Sequence, residues 1–195
     1  ADPRADRHLL ATLRRLTRVN ARSVEQPVNL EDGDDVYNWP FLYVVRPSWA
    51  QLSSEQVAKL RDYIARGGFV LGDDMWGTRE WYDLTQTMQT VLPGKQFNDI
   101  PDDDPLFHIA YDLTERYQIS GAWSMNGGRK YLNDGIIPHW RGIRDEKKDR
   151  LQVVIWVNSD TGDSWEWADD PRYPEKYSAL GIRLIVNHVL YAMSH

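Results

Sequence analysis

The 195-residue chain has no cysteine. That excludes a disulfide framework, a cysteine zinc site, an iron–sulfur cluster and any thiol nucleophile. Long apolar runs are also missing. None approaches the ~20 residues that span a bilayer as a helix, so the chain is expected not to be membrane-spanning. Positive charge is in deficit, with 23 basic against 29 acidic side chains and a net charge of −6, which argues against a nucleic-acid partner. No G-x-S-x-G, Walker loop, G-x-G-x-x-G or H-E-x-x-H occurs. Gly67-Gly68 precedes an apolar run rather than following one, which does not suit a phosphate cradle. The start, Ala1-Asp2-Pro3, has neither the charged region nor the apolar run of a signal peptide. A processed mature end and an artificial junction fit it equally.

What is present is uneven. Residues 1–22 hold Arg4, Arg7, Arg14, Arg15, Arg18 and Arg22 against Asp2 and Asp6, a basic arm of +4; the remaining 17 basic and 27 acidic side chains leave the body at −10. Such an arm folds back on its own domain, or meets an acidic partner or an anionic membrane surface. Nine tryptophans and ten tyrosines stand beside four phenylalanines. Trp and Tyr suit half-wet surface, so the chain offers either a ring-, sugar- or protein-binding face or a core that uses Trp. Trp39, Trp76, Trp81, Trp140, Trp165 and Trp167 all fall near predicted loops or element ends.

Leu9, Leu13 and Leu16 recur at helical spacing and predict a helix over 5–19. Residues 20–38 read as turn-rich, with a short strand near 24–28. Phe41-Leu42-Tyr43-Val44-Val45 is a continuous apolar run of the kind found in strands buried on both faces. Ser53 with Gln56 forms a capping-box pattern. Val57, Leu60 and Ile64 follow at helical spacing, and Gly67 supplies a stop. Phe69-Val70-Leu71-Gly72 then makes a βαβ unit whose strands should be parallel. A helix is predicted over 78–91, a short strand over 96–100, an irregular glycine-bearing stretch over 111–150, a strand over 151–157 and a buried helix over 176–193. The alternation predicts an α/β three-layer sandwich with a mainly parallel sheet. It forms one domain over 23–195 behind the basic helical arm of 1–22.

Several blocks together resemble a known family. They are Trp39-Pro40-Phe41-Leu42-Tyr43, then Arg66-Gly67-Gly68-Phe69-Val70-Leu71-Gly72-Asp73-Asp74-Met75-Trp76-Gly77 with Glu80-Trp81, then Asp104-Pro105-Leu106-Phe107-His108, and Tyr177-Ser178-Ala179-Leu180-Gly181 through Val189-Leu190-Tyr191-Ala192. Over about residues 36–193 the chain resembles the bacterial domain-of-unknown-function family 4159. The resemblance implies a class I glutamine amidotransferase-like fold with a flavodoxin-like sheet. It implies no established activity, and an exported or periplasmic setting. True amidotransferases of that fold place a cysteine at a sharp strand-to-helix turn. Here the comparable turn carries Asp73-Asp74-Met75, so thiolate hydrolysis of glutamine is excluded.

Ligands of open parallel sheets bind at the carboxyl ends of the strands. Residues 46–49, 73–76, 101–108 and 158–160 are expected to converge there, giving Asp73, Asp74, Trp76, Glu80, Asp104, His108 and Asn158 as a candidate set. Trp81, His139, Trp140 and Trp165 extend it as ligand-binding candidates. Adjacent Asp73 and Asp74 suit a divalent cation or a shared proton; alternatively one of them caps the following helix. No other cofactor is expected. His108 suits a general base or metal ligand, or a packed histidine. His139 lies in the irregular stretch, His188 in the core, and His8 and His195 near the termini.

Three functions compete. The first is a non-catalytic amidotransferase-like module docking a protein partner through Trp-rich loops and the basic arm. The second is a glycan- or small-ligand-binding domain stacking a ring on Trp76, Trp81, Trp140, Trp165 or Trp167. The third is a metal-dependent hydrolase using Asp73, Asp74 and His108. The missing cysteine and the absence of a catalytic motif favour the first.

Overall fold

The computed structural model describes residues 3–195; the reading of the Ala1-Asp2 start lies outside them. Helix α1 (Pro3–Leu16) opens the chain. No helix or strand forms over 17–34, so the short strand expected near 24–28 is absent. Strand β1 (Phe41–Val45), helix α2 (Ser54–Ala65) and strand β2 (Phe69–Met75) follow. Both halves of the α2 capping box are made: Gln56 N–H donates to Ser53 Oγ and Ser53 N–H to Gln56 Oε1. Gly67 leaves the helix at φ 107°, which only glycine adopts without strain.

Helix α3 (Gly77–Val91) leads to a two-residue strand β3 (Asn98–Asp99). Strands β4 (His139–Asp145) and β5 (Arg150–Val157) form a hairpin. A short helix α4 (Gly162–Glu166) and the long helix α5 (Glu175–Ser194) end the chain.

The sheet order is β1-β2-β5-β4-β3. β1, β2 and β5 are parallel neighbours, whereas β4 runs against both β5 and β3. Four strands therefore point one way and one points back. The expectation of an irregular stretch over 111–150 missed β4. Arg141 and Arg144 interrupt its apolar pattern, and Gly142 sits where a Cβ would come within 3.1 Å of the Val153 carbonyl. This glycine marks close strand approach rather than a loop.

Side chains alternate across the sheet and feed two cores. Phe69, Leu71, Val154 and Trp156 pack with Leu9 and Leu13 of α1, Trp165 of α4 and Leu184 and Tyr191 of α5. Val70, Val153, Ile155 and Val157 pack with Val57 and Ile64 of α2 and Leu84, Met88 and Val91 of α3. Helices thus cover both faces. The basic arm is laid on the body: α1 buries Leu9 and Leu13 and leaves Arg14 and Arg15 exposed, as is Arg18 just beyond it. No helix among the described residues is long and apolar enough to cross a membrane.

Candidate functional site at the carboxyl edge of the sheet

The carboxyl ends of β1, β2 and β5 share a backbone peculiarity. Arg46, Asp74 and Asn158, each at or just past such an end, adopt φ of 51°, 53° and 60°. Non-glycine residues rarely hold this conformation unless their surroundings fix it, and it clusters at functional or switching positions. The β2–β5 pairing is irregular between Gly72 and Met75, and this bend turns Asp73 and Asp74 toward different partners.

Asp73 is wholly buried. Its carboxyl accepts from Tyr43 Oη at 2.7 Å, the Thr161 N–H at 3.0 Å and the Gly162 N–H at 2.7 Å. Burial pushes its pKa up to about 7, against the pull of those three donors. Asp74 accepts from Arg46 Nε at 2.5 Å and from Trp76 Nε1 at 2.8 Å. The Arg46 guanidinium also lies over the exposed Trp49 ring, 4.5 Å from its centroid.

The expectation that Asp73 or Asp74 caps the next helix is corrected. The first N–H groups of α3 go elsewhere: Gly77 N–H donates to Asn158 Oδ1 at 2.8 Å, Thr78 N–H to Asp134 Oδ1 at 2.8 Å, and Trp76 N–H to Glu80 Oε2 at 2.9 Å. Asp73 instead holds the start of α4. Asn158 is the tie of the edge. Its Nδ2 donates to the Ile137 carbonyl at 2.6 Å, and its own N–H to the Met75 carbonyl at 2.7 Å.

The structure gathers Asp73, Asp74, Trp76, Glu80 and Asn158, but not Asp104 or His108. Asp104 caps the 105–107 turn through the Leu106 N–H at 2.9 Å and pairs with Arg144. Arg144 faces Leu151 at the start of β5, the opposite end of that strand from Asn158. His108 has both ring nitrogens engaged, Nε2 with the Asp102 carbonyl at 2.8 Å and Nδ1 with Asp112 Oδ1 at 2.5 Å. Those two acceptors raise its pKa. Among the described residues, no group of three or more His, Asp or Glu side chains is placed to hold a metal ion.

His139 stands opposite Val157 with Nδ1 3.9 Å from Asp99 Oδ1. Burial, with Arg141 nearby, lowers its pKa. Trp81 is half-buried against Phe97, under the Arg141 guanidinium. Trp76, Trp140 and Trp165 are corrections to the stacking reading: they are 1%, 8% and 1% exposed, so their rings meet protein and not solvent. Trp76 packs edge-on to Trp123, and Trp165 to Tyr43.

Sequence reasoning missed Tyr43, Asp134 and Asp163; Arg46 and Asp160 lay in the segments 46–49 and 158–160 expected to converge here but were left out of the candidate set. The signal for Asp160 was its place just past a parallel strand; Asp134, in the irregular stretch, carried none. Asp160 is buried, and its carboxyl is held well above the ordinary range by burial and then by Asp163. Cavities of about 470 Å³, beside β3 and β4, and about 290 Å³, between residues 112–117 and α5, lie apart from these aspartates.

No curated protein matches this sequence. A family model described as "Domain of unknown function (DUF4159)" matches residues 1–193, basic helix included, and the chain therefore belongs to that domain-of-unknown-function family.

Proposed function

We propose that this chain is a non-catalytic binding module. It uses an α/β fold of the class I glutamine amidotransferase-like, flavodoxin-related kind, and docks a protein partner on the rim of the carboxyl edge. The observation that carries the reading is the buried Asp73 at the turn after β2. Its carboxyl is filled by three donors from Tyr43, Thr161 and Gly162, which leaves a substrate no approach.

Around this sealed edge stands an exposed apolar rim of Trp49, Tyr82, Ile136 and Ile137. Both sides of the rim are tied to the first turns of α3, through Ser48 to Glu80 and through Asp134 to Thr78. Exposed aromatic and aliphatic residues grouped in this way are what protein interfaces anchor on. Arg14 and Arg15 on α1, with Arg18 just beyond it, add a second contact suited to an acidic partner surface. The absence of cysteine is compatible with an exported setting. The glycan and hydrolase readings draw less support, because three of the stacking candidates are buried and both Asp73 and Asp74 are committed to internal donors.

The test is capture by the tagged chain from its own cell, native mass spectrometry, then reconstitution from purified components. A complex of fixed stoichiometry is expected. A Trp49→Ala/Ile137→Asp variant should weaken it at least tenfold with its melting temperature unchanged. A chain that returns alone, or a complex indifferent to both rim and α1 substitutions, counts against the reading.

A further inference from the structure

Most asparagine side chains of this chain are tied down. Asn29, Asn38, Asn98, Asn133, Asn158 and Asn187 each donate their amide to another residue. Among the described residues, the Asn20 and Asn126 amides donate to none. Ala21 follows Asn20, and Gly127 follows Asn126. Asn126 is exposed at the end of the 3-10 turn Ala122–Asn126. Gly127 leaves that turn at φ 79°, and a Cβ built there would meet nothing within 4 Å. Its N–H makes one bond, to the Ser124 carbonyl at 3.2 Å. A single long bond beside solvent opens readily.

An exposed asparagine before a free glycine can react with its own backbone. The Gly127 nitrogen bonds to Asn126 Cγ, and the Cγ–Nδ2 bond breaks. The proton of the Gly127 N–H leaves with the side-chain nitrogen as ammonia. Water then opens the cyclic imide. Opening at Cγ gives aspartate; opening at the backbone carbonyl gives isoaspartate, with Gly127 joined through Cγ. Water is the co-reactant, and nothing is oxidised or reduced. Glycine suits the step because it has no Cβ to crowd the ring and turns freely. Asp134-Gly135 shares the glycine but is locked. Both Asp134 oxygens accept from Thr78, at 2.8 and 2.7 Å, and a Cβ on Gly135 would fall 2.5 Å from Asn158 Oδ1.

The loop has no slack for the isoaspartyl product. Trp123 Nε1 donates to the Arg129 carbonyl at 3.1 Å and so closes residues 123–129. A Cβ on Gly128 would lie 2.7 Å from the Trp123 carbonyl oxygen. Trp123 in turn packs edge-on to the buried Trp76 ring, with centroids 5.5 Å apart. Isoaspartate moves one carbon from the side chain into the main chain of this closed loop. We propose that Asn126 is a self-modifying site, whose conversion to isoaspartate unseats Trp123 from Trp76. The reaction needs no docked partner and stands apart from the rim reading.

The purified full chain, incubated at pH 8 and 37 °C and sampled by peptide mass spectrometry, tests it. The peptide holding Asn126 should gain the mass of an amide-to-acid exchange and split into two chromatographic forms. It should do so at least tenfold faster than the peptides holding Asn20 or Asn133, and Asn126→Gln should abolish the gain. In the isoaspartyl form, separated by ion exchange, hydrogen–deuterium protection of residues 122–130 should fall at least tenfold. Asn126→Asp carries the same charge on an unaltered backbone, and should stay within twofold of the fresh chain. A gain at Asn126 no faster than at Asn20 overturns the site. An isoaspartyl form with unchanged protection of 122–130, or an Asn126→Asp variant that loosens the loop as much, overturns the unseating.

Discussion

Asp73 sets what the carboxyl edge tolerates. Three donors converge on it where water does not reach. Asp73→Ala strands the Tyr43 hydroxyl and two N–H groups, and each buried unsatisfied group costs roughly 1–3 kcal/mol. Urea unfolding should show a loss of about 3–5 kcal/mol, larger than for an ordinary surface aspartate. The position of Asp73 at a strand end was legible in the sequence, but its role was not. Sequence spacing makes an aspartate before a helix a cap for that helix. The bend at Asp74, with φ 53°, instead aims Asp73 at N–H groups 88 residues on, while Asn158 and Asp134 cap α3 from remote segments. Such partners are set by tertiary approach, which no local pattern encodes. His108 lies apart from the carboxyl edge for a like reason, since Asp104, which caps its turn, pairs with Arg144 at the other end of the hairpin.

At the scale of elements, the contact of α4 with α5 depends on Gly181. A Cβ there would lie 1.7 Å from Ser164 Oγ and 2.6 Å from Ser164 Cβ. Gly181→Ala must push the helices apart, and overpacking of this kind costs about 1–3 kcal/mol. Thermal melting should drop accordingly, and Ser164→Gly in the same chain should recover most of the loss. The elements legible in the sequence were those with local signatures. β1 is an unbroken apolar run and β5 holds one over 153–157, α2 has its capping box and Gly67, and α5 is apolar nearly all round. β4 lacked such a signature, since its pairing with β5 and β3 rests on register and on Gly142, and antiparallel strands need no apolar run on both faces.

At the scale of the whole molecule, two kinds of buried group pull stability in opposite directions with pH. His188 is neutral, with Nδ1–H donating to the Leu184 carbonyl at 2.6 Å and Nε2 accepting from Trp156 Nε1 at 3.1 Å. Burial pushes its pKa down to about 3. Its contribution is present above the unfolded value of ~6.5 and is lost as pH falls below it. Asp73, Asp160 and Asp163 are raised. Their contribution is full below the unfolded value of ~4 and is lost as pH rises through the folded values, near 7 for Asp73. Three carboxyls against one imidazole make stability fall from mild acid to mild alkali. The urea midpoint should therefore be higher at pH 5 than at pH 8, and Asp160→Asn should narrow the gap. The sheet order has one more consequence. Its free margins are β1 and β3. β3 is two residues long and is followed within two residues by Pro101, too short to recruit another chain. β1 is five uncharged residues without a break, guarded by Pro40 on one side and Arg46 on the other. Of the two margins, β1 is the one long enough to template cross-β pairing between partly opened molecules, and Pro40 and Arg46 bound it on either side.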